Sequence, residues 1–174
     1  MTATDDEELP EPTGQDAEPF VPADFSPPTR LDHPAFRLRP LGAEHNERDH
    51  AAWMGSIDHI RSTPGFPDGK WPRPMSLDQN LADLQRHHDH FRDRVGFTYT
   101  VLEARGPADR AEVIGCVYIY PDDRPDTAVH VQTWVRADRA DLDAPLATTV
   151  RDWLEEAWPW RPEQIRDHPR RTSS

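Results

Sequence analysis

Three strand-like runs follow one another through the middle of this chain, at 97–103, 111–120 and 127–135. Each is rich in the β-branched and aromatic residues that suit a pleated surface. The connections, 104–110 and 121–126, carry Gly, Pro and Asp and are short enough for antiparallel hairpins. A meander is therefore the expected centre of the fold, and the remaining elements must be arranged around it.

Ahead of the meander, Phe36, Leu38 and Pro40 alternate with arginines as in a half-buried strand over 35–41, which Pro40 ends or confines to an edge. From 43 to 62, Trp53, Met54, Ile57 and Ile60 recur at helical spacing and predict one helix. The stretch 63–74 is dense in Pro and Gly, so it reads as a long loop, holding Phe66 and Trp71. Ser76 opens a Ser-Leu-Asp-Gln capping box, and Leu77, Leu81, Leu84, His88 and Phe91 form one face of a second helix over 77–94. After the meander, Leu146, Val150, Trp153, Leu154 and Ala157 mark a third helix over 141–158, with Asp141 as its N-cap, Asp143 complementing its dipole and Pro145 in its first turn. The fold class is α/β (α+β), a mostly antiparallel central sheet flanked by helices. Residues 161–167 add at most a short strand.

A chain of 174 residues suits one domain. With 35% hydrophobic and 30% charged residues, part of it contributes little to a core. Residues 1–34 are rich in Asp, Glu and Pro and carry no basic residue before Arg30, so they are expected to be a disordered acidic tail, a solubilising extension or an interaction arm. The domain is then 35–167, with a frayed tail at 168–174. A net charge of -12 repels phosphate backbones and anionic lipid, which argues against nucleic-acid partners. The sequence has no run suited to a membrane span and no signal-peptide pattern, so a cytoplasmic location is expected. Cys116 is the single cysteine and reads as a buried thiol, which excludes an intrachain disulfide and a thiolate zinc site.

The order of elements, together with Phe36-Arg37-Leu38-Arg39-Pro40-Leu41, Val113-Ile114-Gly115-Cys116-Val117-Tyr118 and Val131-Gln132-Thr133-Trp134-Val135-Arg136-Ala137-Asp138, resembles the GNAT superfamily of N-acetyltransferases over about 125 residues, 36–160. The three segments are similar to that family's opening strand, third strand, and fourth strand with the turn into its central helix. The resemblance implies a GNAT-like acyl-CoA N-acyltransferase fold, truncated at the C-terminus, with acetyl-CoA as acyl donor and a small amine as acceptor. Cofactor contacts would fall on the strand end, Trp134 and Val135, and on Arg136 and Arg139, with Arg151 nearby. The family's turn is an Arg/Gln-x-x-Gly-x-Gly/Ala motif whose amides cradle a pyrophosphate. Here 140–145 reads Ala-Asp-Leu-Asp-Ala-Pro, with neither glycine. The family's acid is a tyrosine on a later helix that this chain does not reach, so the nearest candidates for catalytic roles are Tyr118, Tyr120 and His130, the last sharing a strand face with Gln132. Strand edges left open by the truncation would favour a homodimer.

Arg86-His87-His88-Asp89-His90 lacks a set of carboxylate partners, so no metal is expected; His88 falls on the apolar stripe, with His87 and His90 toward solvent. Glu44, Asp49, Asp58 and His59 lie on the first helix, where carboxylates either bind an amine or form a solvated face. Trp53, Phe66 and Trp71 can wall a hydrophobic pocket, core packing being the alternative for Trp53. Two functions stay open: acyl transfer from acetyl-CoA to an amine, and a noncatalytic ligand- or protein-binding module that has lost cofactor binding.

Overall fold

Four antiparallel pairings build most of the sheet, and a short parallel strand extends it at one edge. The computed structural model describes residues 18–66 and 70–170. Its single sheet has the order β1-β2-β3-β4-β5-β6, with β1 at Leu31–Asp32, β2 at Phe36–Pro40, β3 at Phe97–Glu103, β4 at Val113–Pro121, β5 at Val129–Val135 and β6 at Ile165–Arg166. All neighbours are antiparallel except β5 and β6, which pair in parallel at Val129 with Ile165 and His130 with Arg166. Phe97 to Leu102 are all buried: Phe97, Tyr99 and Val101 pack into one core and Leu102 into the other, with Thr98 and Thr100 buried between.

Helices α1 (Asn46–Met54) and α3 (Leu77–Asp93) cover one face, and α4 (Asp143–Ala157) the other. Strand alternation deals residues to the two cores. Val129, Val131 and Val135 of β5 pack with Leu146, Val150 and Leu154 of α4. Trp134 points the opposite way, to Trp53 of α1 and Leu84 of α3. The second helix begins as its capping box requires: the Gln79 amide donates to Ser76 Oγ at 3.1 Å, and the Gln79 side chain accepts from the Ser76 amide at 2.9 Å.

Several expectations are corrected. The single helix over 43–62 is divided into a 3₁₀ turn, α1 and a short α2 (Ile57–Arg61). The break frees Ser56, whose Oγ accepts from the Ala137 amide at 2.9 Å and so ties the helix pair to the turn after β5. Asp141 does not cap the last helix: 137–142 is a 3₁₀ turn, α4 starts at Asp143, and Leu142 at the N-cap makes no side-chain bond. On α3 the stripe is shifted by one residue at its C-terminal end, so that His88 is exposed while His87 and His90 turn toward the sheet.

Order also begins before residue 35. Residues 1–17 lie outside the described residues, but from 18 onward the segment packs on the domain. Val21 is buried, Phe20 lies 5.8 Å from Phe97 and 5.0 Å from Trp160, and Phe25 lies 5.3 Å from Trp158. The Tyr99 hydroxyl donates to the Pro28 carbonyl at 2.5 Å. Phe20, Val21, Phe25 and Leu31, set among acidic and proline residues, pack against the core and thus outweigh the composition that predicts disorder. At the other end, 171–174 lie outside the described residues, whereas Arg170 is anchored, its side chain 6% exposed.

The short β6 is held by a fork. Arg166 donates from Nε and Nη2 to the two oxygens of Asp122, each at 2.7 Å, and Thr127 Oγ1 also donates to that carboxylate. The carboxylate is covered by these partners rather than by depth, and Arg166, first among them, holds its pKa well below the usual range. Asp122→Asn is expected to cost about 2 kcal/mol, the scale of a hydrogen bond to a charged group, measured by urea denaturation at pH 7. Because the folded pKa is depressed, this stabilisation is present above about pH 4 and fades below it, so the two proteins should converge in stability in acid.

Candidate functional site

A cleft of about 340 Å³ opens between α1, α3 and the face of the sheet that carries Trp134. Its walls are aromatic. Trp53 comes from α1, Phe66 and Trp71 from the proline-rich loop, and Tyr118 from β4. Trp71 is central, with ring centroids 5.8 Å from Trp53, 5.7 Å from Phe66 and 6.1 Å from Tyr118. The polar edges of these rings are satisfied: Trp53 Nε1 donates to Asn80 Oδ1 and Trp134 Nε1 to the Tyr118 hydroxyl, both at 3.0 Å. The loop turns at Gly65, with φ of +104°, a conformation that favours glycine. Gln132 fixes the turn by donating to the Gly65 carbonyl at 2.7 Å.

The cleft's chemistry sits on its helical side. Asp49 is 4% exposed and accepts from Asn80 Nδ2 at 3.0 Å; the same amide reaches Asn46 Oδ1 at 2.9 Å. Burial pushes the Asp49 pKa up to about 6, against the opposing effects of the Asn80 hydrogen bond and of nearby His50. Near neutral pH this group is therefore an ionised but readily protonated base inside an apolar pocket. Asp83, also at the cleft, is engaged by Arg86 at 3.0 Å.

Across from Asp49, burial brings His87 down to about 4, so its ring is neutral. Its Nδ1 lies 2.7 Å from the Tyr120 hydroxyl and 3.1 Å from Thr98 Oγ1, and His90 Nδ1 lies 2.9 Å from the same tyrosine. A phenol has one proton to donate, so one of the two rings must present an N–H to Tyr120. The arrangement continues from the cleft along the seam between α3 and the sheet through hydrogen-bonding groups.

The residues expected from sequence are distributed as follows. Tyr118 lines the cleft, and burial raises its pKa well above the usual range, so it keeps its proton. Tyr120 reaches the cleft only through His87. His130 lies elsewhere, its Nε2 2.7 Å from His168 Nε2. Of the first-helix set, Asp49 enters the cleft while Glu44 and Asp58 are exposed. Trp53, Phe66 and Trp71 come together as one wall. Asn80, which orients Asp49 and Trp53, was not singled out by sequence; its place four residues before Leu84 on the buried face of α3 was the available signal.

The side chains of Trp134 and Val135 are buried, leaving only their backbone for a ligand. Arg136 is held by Asp138 and Glu112, Arg139 by Glu103, and Arg151 by Glu155 and Asp167. In the turn that follows, the amides of Arg136, Ala137, Arg139 and Asp143 are bonded to Ile114, Ser56, Arg136 and Ala140. Asp143 binds Arg170, whose Nη2 also reaches the Thr133 carbonyl at 2.8 Å. The gap between β5 and this C-terminal segment has a free volume of only about 10 Å³. These arginines and these four amides are engaged within the protein, and Asp138, Asp141 and Asp143 stand beside them. Among the described residues no group of three His, Cys, Asp or Glu is placed to hold a metal, and no helix is long and apolar enough to cross a membrane.

No family model and no curated protein sequence matches the chain. Solved structures do. A ribosomal-protein-S5-alanine acetyltransferase from Vibrio fischeri superimposes with a TM-score of 0.54 at 13% identity, over 74% of this chain and 68% of that one. The microcin C7 self-immunity acetyltransferase MccE, solved with acetyl-CoA and AMP, gives 0.51 at 9% identity, over 71% and 63%. RimL, a ribosomal L7/L12 α-N-protein acetyltransferase in complex with coenzyme A, gives 0.53 at 9% identity, over 72% and 65%. The chain thus spans about two thirds of the length of each. What is shared is the fold: a mostly antiparallel sheet between helices, as the sequence resemblance implied.

Proposed function

For a chain with the fold of the GNAT N-acetyltransferases, we propose N-acyl transfer to an amine held in the aromatic cleft. The observation that carries this reading is Asp49, a buried carboxylate with a pKa near 6, set among four aromatic rings beside the sheet. Ionised, it attracts an ammonium ion; lying close to working pH, it is placed to take the proton that must leave before the nitrogen can attack. Asn80 holds the carboxylate in position, and the aromatic walls exclude water. The complexes with acetyl-CoA and with coenzyme A among the structural neighbours make acetyl-CoA the donor to try first. The turn at 136–145 holds no glycine.

That same occupied turn favours a second reading, in which the cleft binds its ligand without transfer. One experiment separates them: acetyl-CoA and a panel of primary amines are incubated with the full chain, thiol release is followed, and the binding of acetyl-CoA and of each amine is titrated calorimetrically. Amine-dependent thiol release supports transfer. Amine binding without thiol release or acetyl-CoA binding supports the module.

A further inference from the structure

The geometry points to a monocationic aryl-alkyl ammonium, one ring on a short chain, as the ligand of the Asp49 cleft. This rests on reading the cleft as the ligand site but not on acyl transfer taking place there. A volume of about 340 Å³ lies at the lower end of small-molecule pockets and suits a single ring with a short chain. Two tryptophans, a phenylalanine and a tyrosine surround it, and indole faces are the best aromatic partners for both a cation and a flat ring.

Charge selects further. Among the described residues, Asp49 is the one buried carboxylate of the cleft, and Asp83, nearer solvent, already pairs with Arg86. A polyamine or a basic peptide would need several acidic groups in a row, and would bring extra charge against Arg86 and Lys70, which both line the cleft, and against an apolar wall. One cationic head and an apolar body match the single buried carboxylate with its aromatic surroundings.

The test is calorimetric binding to the full chain, without acetyl-CoA, of three probes: phenethylamine, phenethyl alcohol and spermidine. Phenethylamine is expected to bind at least tenfold more tightly than either of the others. Trp71→Ala should weaken it at least tenfold while Trp71→Phe retains most of the affinity, with near-ultraviolet circular dichroism and melting confirming that both variants are folded. Asp49→Asn should bring the amine and the alcohol to equal affinity. Spermidine binding as tightly as phenethylamine, the alcohol matching the amine in the unaltered protein, or an unchanged amine affinity in Asp49→Asn would each overturn the assignment. Thiol release is not measured, so a failure of acyl transfer leaves this result standing, and a preference for spermidine leaves transfer open.

Discussion

Asp49→Asn is expected to yield a protein that is more stable at pH 7.5 than the original, by up to about 3 kcal/mol, yet has lost its preference for amines. The carboxylate has an ordinary pKa of 3.8 and a folded value of about 6, raised chiefly by burial and, to a lesser degree, by Asp83; Asn80 and His50 act in the opposite direction. Between those two values the folded state binds more protons than the unfolded one, so stability falls as pH rises and the whole cost is present above about pH 6. Below about pH 4 the group is neutral in both states and the substitution should be nearly silent. Asparagine keeps the size and can still accept from Asn80. Urea denaturation from pH 4 to 8 should show the variant gaining stability relative to the original across that window; the difference isolates Asp49, because His87 and His130, whose pKa values burial depresses, raise the stability of both proteins as pH rises. A variant less stable at pH 7.5 would mean that the carboxylate is there for structure, which would sink its role as a base. A costly charge kept in a pocket is what a functional site looks like in a stability measurement.

Gly115→Ala is the substitution expected to damage the fold most. An added Cβ would lie 2.3 Å from the Trp134 carbonyl oxygen and 3.4 Å from the Val135 Cα. Both are backbone atoms of β5, the strand that pairs Gly115 with Val135, so no side-chain rotation can make room. Opening β4 from β5 there moves Trp134 off the Tyr118 hydroxyl and undoes the floor of the cleft. A loss of about 3 kcal/mol or more is expected, at the upper end for overpacking, read as a fall in melting temperature together with a loss of near-ultraviolet signal. A change within about 0.5 kcal/mol, as at an ordinary surface position, would show that β4 and β5 are not paired in this register.

How much of this could be read from the sequence divides along a physical line. Local signals were sufficient where the determinant is itself local. The meander followed from β-branched runs and short turns, the start of α3 from the Ser76–Gln79 capping box, and Pro145 in the first turn of α4 from its missing amide proton. The aromatic wall was partly legible too, because Trp53, Phe66 and Trp71 stood out in and beside a loop with no regular structure. Tertiary structure decided the rest, because it turns on partners far apart in the chain. Asp49 differs from Glu44 and Asp58 only because Asn80, on another helix, meets it across a buried contact. His87 rather than His88 faces the sheet because Tyr120 and Thr98 wait there. Arg170 is ordered because Asp143 and Thr133 surround its guanidinium, and residues 18–34 because Phe97, Tyr99 and Trp158 offer apolar surface that composition cannot reveal. Composition and periodicity report what a segment prefers alone; burial and charge pairing are set by what the folded chain brings to it.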